Sequence, residues 1–214
     1  MDNSIGVVGV APGARLWAVK VLDANGNGWW SSVICGLDWV YANRSTIDVV
    51  NLSLGGNGSD TTCSDPADPL HGAICRVVSA GIPVVVAAGN AGKDAATTVP
   101  ATYDEVIAVS AFADTDGAPG GRGPWQCGYG DDWFATFSNF GADVDIAAPG
   151  VCIRSTSLGS WYAELSGTSM ATPHVTGAVA LHLTETPAAT PSDVRGWLLD
   201  IASRPQNFPP GLLR

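Results

Sequence analysis

The sequence predicts an α/β fold, a doubly wound parallel sheet with flanking helices, on three observations. Residues 48–54 (DVVNLSL) and 83–88 (PVVVAA) are near-continuous apolar runs, the pattern of strands buried on both faces of a parallel sheet. Stretches with helical spacing precede them, so strands and helices alternate along the chain. The runs end in Gly55-Gly56 and Gly89-Asn90, which turn the chain at the sheet edge.

The elements follow in order. Residues 16–22 (LWAVKVL) read as a strand and Asn25-Gly26-Asn27-Gly28 as a turn. Over residues 31–42, Val33, Ile34, Leu37 and Val40 recur at helical spacing. After the strand at 48–54 and a polar loop, residues 70–80 form a second helix that stops at Gly81. Residues 83–88, 106–110 and 144–147 supply three more strands. Beyond Pro149-Gly150, residues 151–155 and 161–165 pair as a hairpin around Leu158-Gly159. Ser192-Asp193 caps a last helix running to about Ala202, and a Pro-rich tail follows. Without repeat or internal linker, residues 1–214 read as one domain.

Composition narrows the function classes. At 214 residues and 46% apolar content, the chain can bury one sizeable core. Lys+Arg 10 against Asp+Glu 20 gives a net charge of −10, which disfavours phosphate backbones and anionic membranes as partners. There is no run of 18 apolar residues. The first residues lack the basic and apolar pattern of a signal peptide. The cysteines are Cys35, Cys63, Cys75, Cys127 and Cys152, with no C-x-x-C and no zinc spacing. Cysteines in the loops of an acidic domain suit an oxidising, extracellular setting. Cys63–Cys75 with Cys127–Cys152, and Cys35 buried on a helix, is the expected arrangement; other connectivities and free thiols stay open.

The chemistry concentrates in Ser166-Gly167-Thr168-Ser169-Met170-Ala171-Thr172-Pro173-His174, which opens the Gly- and Ala-rich apolar run 175–183. This reads as a serine in the first turn of a buried helix, with Pro173 also in that turn, where a missing N–H costs little. Free N–H groups and partial positive charge at a helix start stabilise an alkoxide or oxyanion. The string G-T-S-x-A-x-P-H resembles the nucleophile motif of the subtilisin-like serine proteases, the subtilases. Also similar to that family are Ala87-Ala88-Gly89-Asn90, Asn51-x-Ser53-Leu54-Gly55-Gly56, the segments 3–12 and 19–22, Phe137-Ser138-Asn139-Phe140-Gly141 and Ala148-Pro149-Gly150. The match runs from about residue 2 to about residue 202.

The resemblance implies a secreted, monomeric serine endopeptidase acting on protein or peptide substrates. Ser169 would be the nucleophile and Asn90 the side-chain oxyanion donor. Ser53, Leu54 and Gly55 would pair with the substrate backbone as an added strand. Ala87, Ala88 and Gly89 would line the specificity pocket, with Thr98 near its base; such small uncharged walls suit an apolar or broad preference. Calcium is implied twice. One site would take oxygens from the loop of Asn3, Ile5 and Val7, the other the main-chain oxygens of Asp104 and Val106 with the Asp145 carboxylate.

A serine needs a base within about 3 Å, oriented by a third group. The family's D-[ST]-G and H-G-T-H-x-A-G motifs, which carry its Asp and His, occur nowhere in these residues. His174 is five residues past Ser169 and faces roughly 140° away on a helix; His182, thirteen residues on, lies about 20 Å along it. His71-Gly72 starts a helix and suits a capping role. The expectation is therefore the C-terminal major part of a subtilase catalytic domain, lacking the strand and helix with the Asp and His and inactive alone. A non-catalytic peptide-binding protein of the same fold is the alternative. An esterase-type hydrolase is disfavoured because no G-x-S-x-G surrounds Ser169.

Overall fold

The computed structural model describes residues 5–202. Its centre is a sheet of parallel strands in the order β1 (Val50–Leu52), β3 (Val84–Ala87), β5 (Ile107–Ala113) and β7 (Ile146–Pro149). The short β6 (Trp133–Phe134) adds antiparallel to the end of β5. Two small antiparallel pairs lie outside this sheet: β2 (Gly56–Asn57) with β4 (Thr98–Val99), and the hairpin of β8 (Ile153–Ser157) and β9 (Trp161–Leu165).

Alternation along the strands explains the two helix layers. Val84 and Val86 point into a core shared with Val33, Leu37 and Val40 of α1 (Trp30–Ala42) and Leu70, Ile74 and Val77 of α2 (Pro69–Ser79). Val85, between them, points the other way, as do Ile107, Val109 and Ala111 of β5. They meet Ala171, Val175 and Val179 of α3 (Thr168–Glu185), and Val194 and Leu198 of α4 (Pro191–Ile201). A strand buried on both faces cannot alternate apolar with polar, which is why β3 reads as an unbroken apolar run. α3 packs across β5, β3, β7 and β1, so its first turn sits over the carboxyl edge of the sheet.

Several elements depart from the sequence expectation. Residues 16–22 form no ladder among the described residues, and Leu16 is 89% exposed. Extended sequence becomes a strand only against a neighbour that takes its N–H and C=O groups. The run 48–54 is strand only over Val50–Leu52, leaving Ser53 to Gly55 outside the sheet. The cap of α4 is Thr190, whose hydroxyl accepts from Asp193 N at 3.2 Å while Asp193 Oδ2 accepts from Thr190 N at 2.9 Å. Asp193 thus completes a capping box rather than capping with Ser192. Cys35 is exposed, not buried, because the inward stripe of α1 runs through Val33, Gly36, Leu37 and Val40. Cys63–Cys75 and Cys127–Cys152 are disulfide-bonded.

The loop between β5 and β6 is held from within. Buried Asp131 accepts from Thr115 N (2.8 Å), Thr115 Oγ1 (3.0 Å) and Gly123 N (2.9 Å). A Cβ on Gly123 would lie 2.8 Å from Asp131 Cγ, so only glycine permits this approach. The amides of Thr115 and Gly123 outweigh burial and hold the Asp131 carboxyl below the ordinary carboxylate value. Because the folded pKa lies below the unfolded one, this contribution is complete above about pH 4 and lost as pH falls through the folded value. Amide-exchange protection at Thr115 and Gly123 is accordingly expected to collapse in acid, and to be low already at neutral pH in Asp131→Ala, which removes both acceptor oxygens. Protection unchanged in that variant would refute the assignment.

Candidate active site

Ser169 is the second residue of α3, and its N–H belongs to the first turn, whose donors have no acceptor within the helix. The chain reaches it by a fixed path: Gly167 N donates to Gly150 O at 2.8 Å, tying the approach to the end of β7. Pro173 is not in the first turn as expected from the motif but is the sixth residue of α3. An interior proline removes the N–H that would bond the carbonyl four residues back, and that carbonyl belongs to Ser169.

Ser53 supplies the missing donor. Its Oγ–H donates to Ser169 O at 2.9 Å, and Ser169 Oγ–H donates to Ser53 O at 3.2 Å. The Ser53 hydroxyl is aimed by a relay from the same helix: Thr176 Oγ1 donates to Asn51 Oδ1 (3.0 Å), and Asn51 Nδ2 donates to Ser53 Oγ (2.9 Å). Ser53, at the head of the segment with Leu54 and Gly55, is thereby pinned beside the serine, and Gly55 is exposed.

Asn90 follows β3 on the opposite side. Its Oδ1 accepts from Thr168 N at 2.8 Å and from Thr168 Oγ1 at 3.0 Å. With the oxygen consumed, the end left for a ligand is Nδ2–H₂, on an exposed residue. Thr168, itself 0% exposed, also receives Gly89 N at 3.1 Å through its hydroxyl. Ala87 and Ala88 are buried in the wall behind, and Gly89 is half-buried.

Two residues of this arrangement were not assigned roles from sequence. One is Thr168, the anchor of Asn90. The other is Asn139, 1% exposed, which lies under residues 88–93. Its Nδ2 donates to Ala88 O (2.8 Å) and Thr98 Oγ1 (3.1 Å), and its Oδ1 accepts from Ala91 N (3.0 Å) and Lys93 N (3.2 Å). A Cβ on Gly89, at φ +105, would meet Asn139 Nδ2 at 2.5 Å. Both lie in motifs quoted above, but nothing in a string of letters says that Asn139 braces a loop 50 residues away.

All three histidines are engaged away from Ser169. His174 Nδ1 donates to Met170 O at 2.9 Å, within its own helix. His182 stacks on Trp197 at 4.0 Å and bonds Thr186 Oγ1 through Nε2. His71 is buried between Thr61 and Glu105. The described residues thus bring together a serine, an amide donor and the segment that begins at Ser53, with no histidine beside them.

The second calcium set does not fit a metal ion. Arg195 from α4 donates Nε to Asp145 Oδ1 (2.9 Å), NH2 to Asp145 Oδ2 (2.8 Å) and NH1 to Asp104 O (2.7 Å), and Ala108 N donates to Asp145 Oδ2 (2.9 Å). A guanidinium already supplies the positive charge at the Asp104 and Asp145 oxygens of the set that also names Val106. Of the first set, Asn3 lies outside the described residues, while Ile5 is exposed and Val7 half-buried. Removing one partner of a buried pair strands the other charge, so Arg195→Met should cost about 3–5 kcal/mol in a urea titration. A loss within about 0.5 kcal/mol, the range of ordinary surface substitutions, would show that the pair is not structural.

Comparison with known proteins accords with this geometry. The subtilase family model matches residues 1–213. Subtilisin NAT from Bacillus subtilis subsp. natto is 41% identical over 206 residues, covering 95% of this chain and 48% of that protein. The extracellular serine proteinase of Thermus sp. (strain Rt41A) is 43% identical over 201 residues, covering 91% of this chain and 42% of its own length. Among solved structures, a cold adapted subtilisin-like serine proteinase superposes with a TM-score of 0.78 at 35% identity, covering 93% of this chain and 66% of that one. The chain thus spans about half the length of several curated relatives that it matches. On the strength of the family match and of these relatives, the chain belongs to the subtilase family.

Proposed function

We propose that the chain carries the nucleophile half of a serine endopeptidase that cleaves peptide bonds through an acyl-enzyme on Ser169. One observation carries the reading: Thr168 consumes the oxygen of Asn90, so that its amide N–H₂ is the end presented next to a serine at a helix start. Ser169 Oγ attacks the substrate carbonyl carbon, its proton passing to a base. The developing oxyanion is met by Asn90 Nδ2 and the Ser169 N–H. Collapse breaks the C–N bond, the base protonates the departing amine, and water then releases the acyl group.

The substrate is a protein or peptide in extended form, paired with Ser53, Leu54 and Gly55 as an added strand. The small walls at Ala87, Ala88 and Gly89 favour apolar or varied side chains. The two disulfides and the extracellular relative support secretion, and a monomer suffices for this site. Calcium belongs to this reading only at the loop of Asn3, Ile5 and Val7, whose oxygens would form part of a ligand shell. The base and its orienting carboxylate have to come from outside these 214 residues.

A fluorophosphonate and a fluorogenic peptide test the proposal. In an enzyme with the complete triad, Ser169→Ala should abolish labelling and Asn90→Leu should lower kcat about 10²–10³-fold. The 214-residue chain alone should turn over the peptide on the order of 10⁶-fold more slowly than that enzyme, the loss seen when a base is removed. Efficient labelling of the chain alone would place a base within it; hydrolysis surviving Ser169→Ala would exclude Ser169 as nucleophile.

A further inference from the structure

Asn139 is committed in full to the turn that presents Asn90. Its Nδ2–H₂ donates to Ala88 O (2.8 Å) and Thr98 Oγ1 (3.1 Å), and its Oδ1 accepts from Ala91 N (3.0 Å) and Lys93 N (3.2 Å). Its own N–H donates to Gly89 O at 2.9 Å. One residue therefore holds residues 88 and 89 before Asn90, and 91 and 93 after it. A carboxamide has two donor hydrogens and one oxygen with two lone pairs, and here all of them are used. The orientation is forced as well. Turned over, the group would set its –NH₂ against two N–H donors and its oxygen against a carbonyl.

The support behind Asn139 is equally firm. The side chain is buried, and its backbone carbonyl accepts from Ser110 Oγ on β5 at 2.6 Å and from Ser138 Oγ at 3.1 Å. The two segments stay joined beyond it, through Gly92 N to Phe137 O (2.8 Å) and Phe140 N to Lys93 O (3.1 Å). Thr168 decides which end of the Asn90 amide faces outward. The place where that end stands is decided by the main chain of the turn, and that main chain is tied to Asn139.

We propose that Asn139 is the positioning residue of the oxyanion donor, touching no reacting atom and acting on the reaction through Asn90. The proposal rests on the reading of Asn90 given above. A donor works only at the point where charge develops, and a misplacement of about 1 Å can cost about 10²-fold in rate. The charge on the carbonyl oxygen appears in the transition state and not in the bound substrate, so the loss falls on kcat more than on KM.

A kinetic double-mutant cycle in the enzyme with the complete triad tests this. Asn139→Ala should lower kcat about 10–10²-fold and move KM far less. In an Asn90→Leu background, where there is no donor left to position, the same substitution should lower kcat much less than it does in the wild type. A general loss of folded enzyme would instead lower activity equally in both backgrounds. Should Asn139→Ala fail to fold, Asn139→Ser enters the same cycle, since it keeps a small polar group under the turn. If Asn90→Leu lowers kcat and the two losses simply multiply, the positioning role is overturned while Asn90 keeps its own. If Asn139→Ala acts on KM alone, the role is overturned too. If Asn90→Leu leaves kcat unchanged, the reading of Asn90 fails and the proposal falls with it.

Discussion

A proline placed in the interior of a helix leaves one carbonyl without its donor, and in this protein the carbonyl is that of Ser169. Buried or half-buried backbone oxygens need partners, and the partner here is the hydroxyl of Ser53, at 2.9 Å, from a segment 116 residues earlier. The return bond from Ser169 Oγ to Ser53 O closes a reciprocal pair. Ser169 and the segment that begins at Ser53 are thus fixed directly to one another, in addition to the tie that Gly167 makes to the end of β7. A helix without Pro173 would satisfy Ser169 internally and release Ser53.

The other side of the site depends on a comparable economy of polar groups. The sheet delivers residues 88–90 to its carboxyl edge, where Asn139 takes up the backbone groups that a turn after a buried strand leaves unpaired. Thr168 then fixes which end of the Asn90 amide faces outward. In the free protein Ser169 Oγ–H is bonded to a carbonyl, so a base must compete with Ser53 O for that proton. For the proposed reaction, what the site lacks is a proton acceptor at Ser169 Oγ and the group that orients it, and none of the three imidazoles stands near that oxygen.

The sheet was legible in sequence because β3 and the helices around it are buried on faces that periodicity reveals. That the segments of Ser169, Asn90 and Ser53 would meet was legible because their motifs are long. What sequence could not give was pairing. Residues 16–22 have strand composition but pair with no strand among the described residues, and Cys35 has apolar character but sits off the buried stripe of α1. Pro173 was placed in the same first turn as Ser169, although a residue four positions further along a helix belongs to the next turn. Arg195 was invisible as a partner of Asp145, since a guanidinium and a calcium ion answer the same oxygens and only the fold says which arrives.

The central claim is that Pro173 and Ser53 act on one carbonyl, and a double-mutant cycle measures that directly. Ser53→Ala should destabilise the wild-type chain by about 1 kcal/mol, the usual worth of such a bond. In a Pro173→Ala background the restored N–H satisfies Ser169, so Ser53→Ala should cost markedly less, giving a coupling of about 0.5 kcal/mol or more. Strict additivity of the two substitutions in urea unfolding would contradict the account.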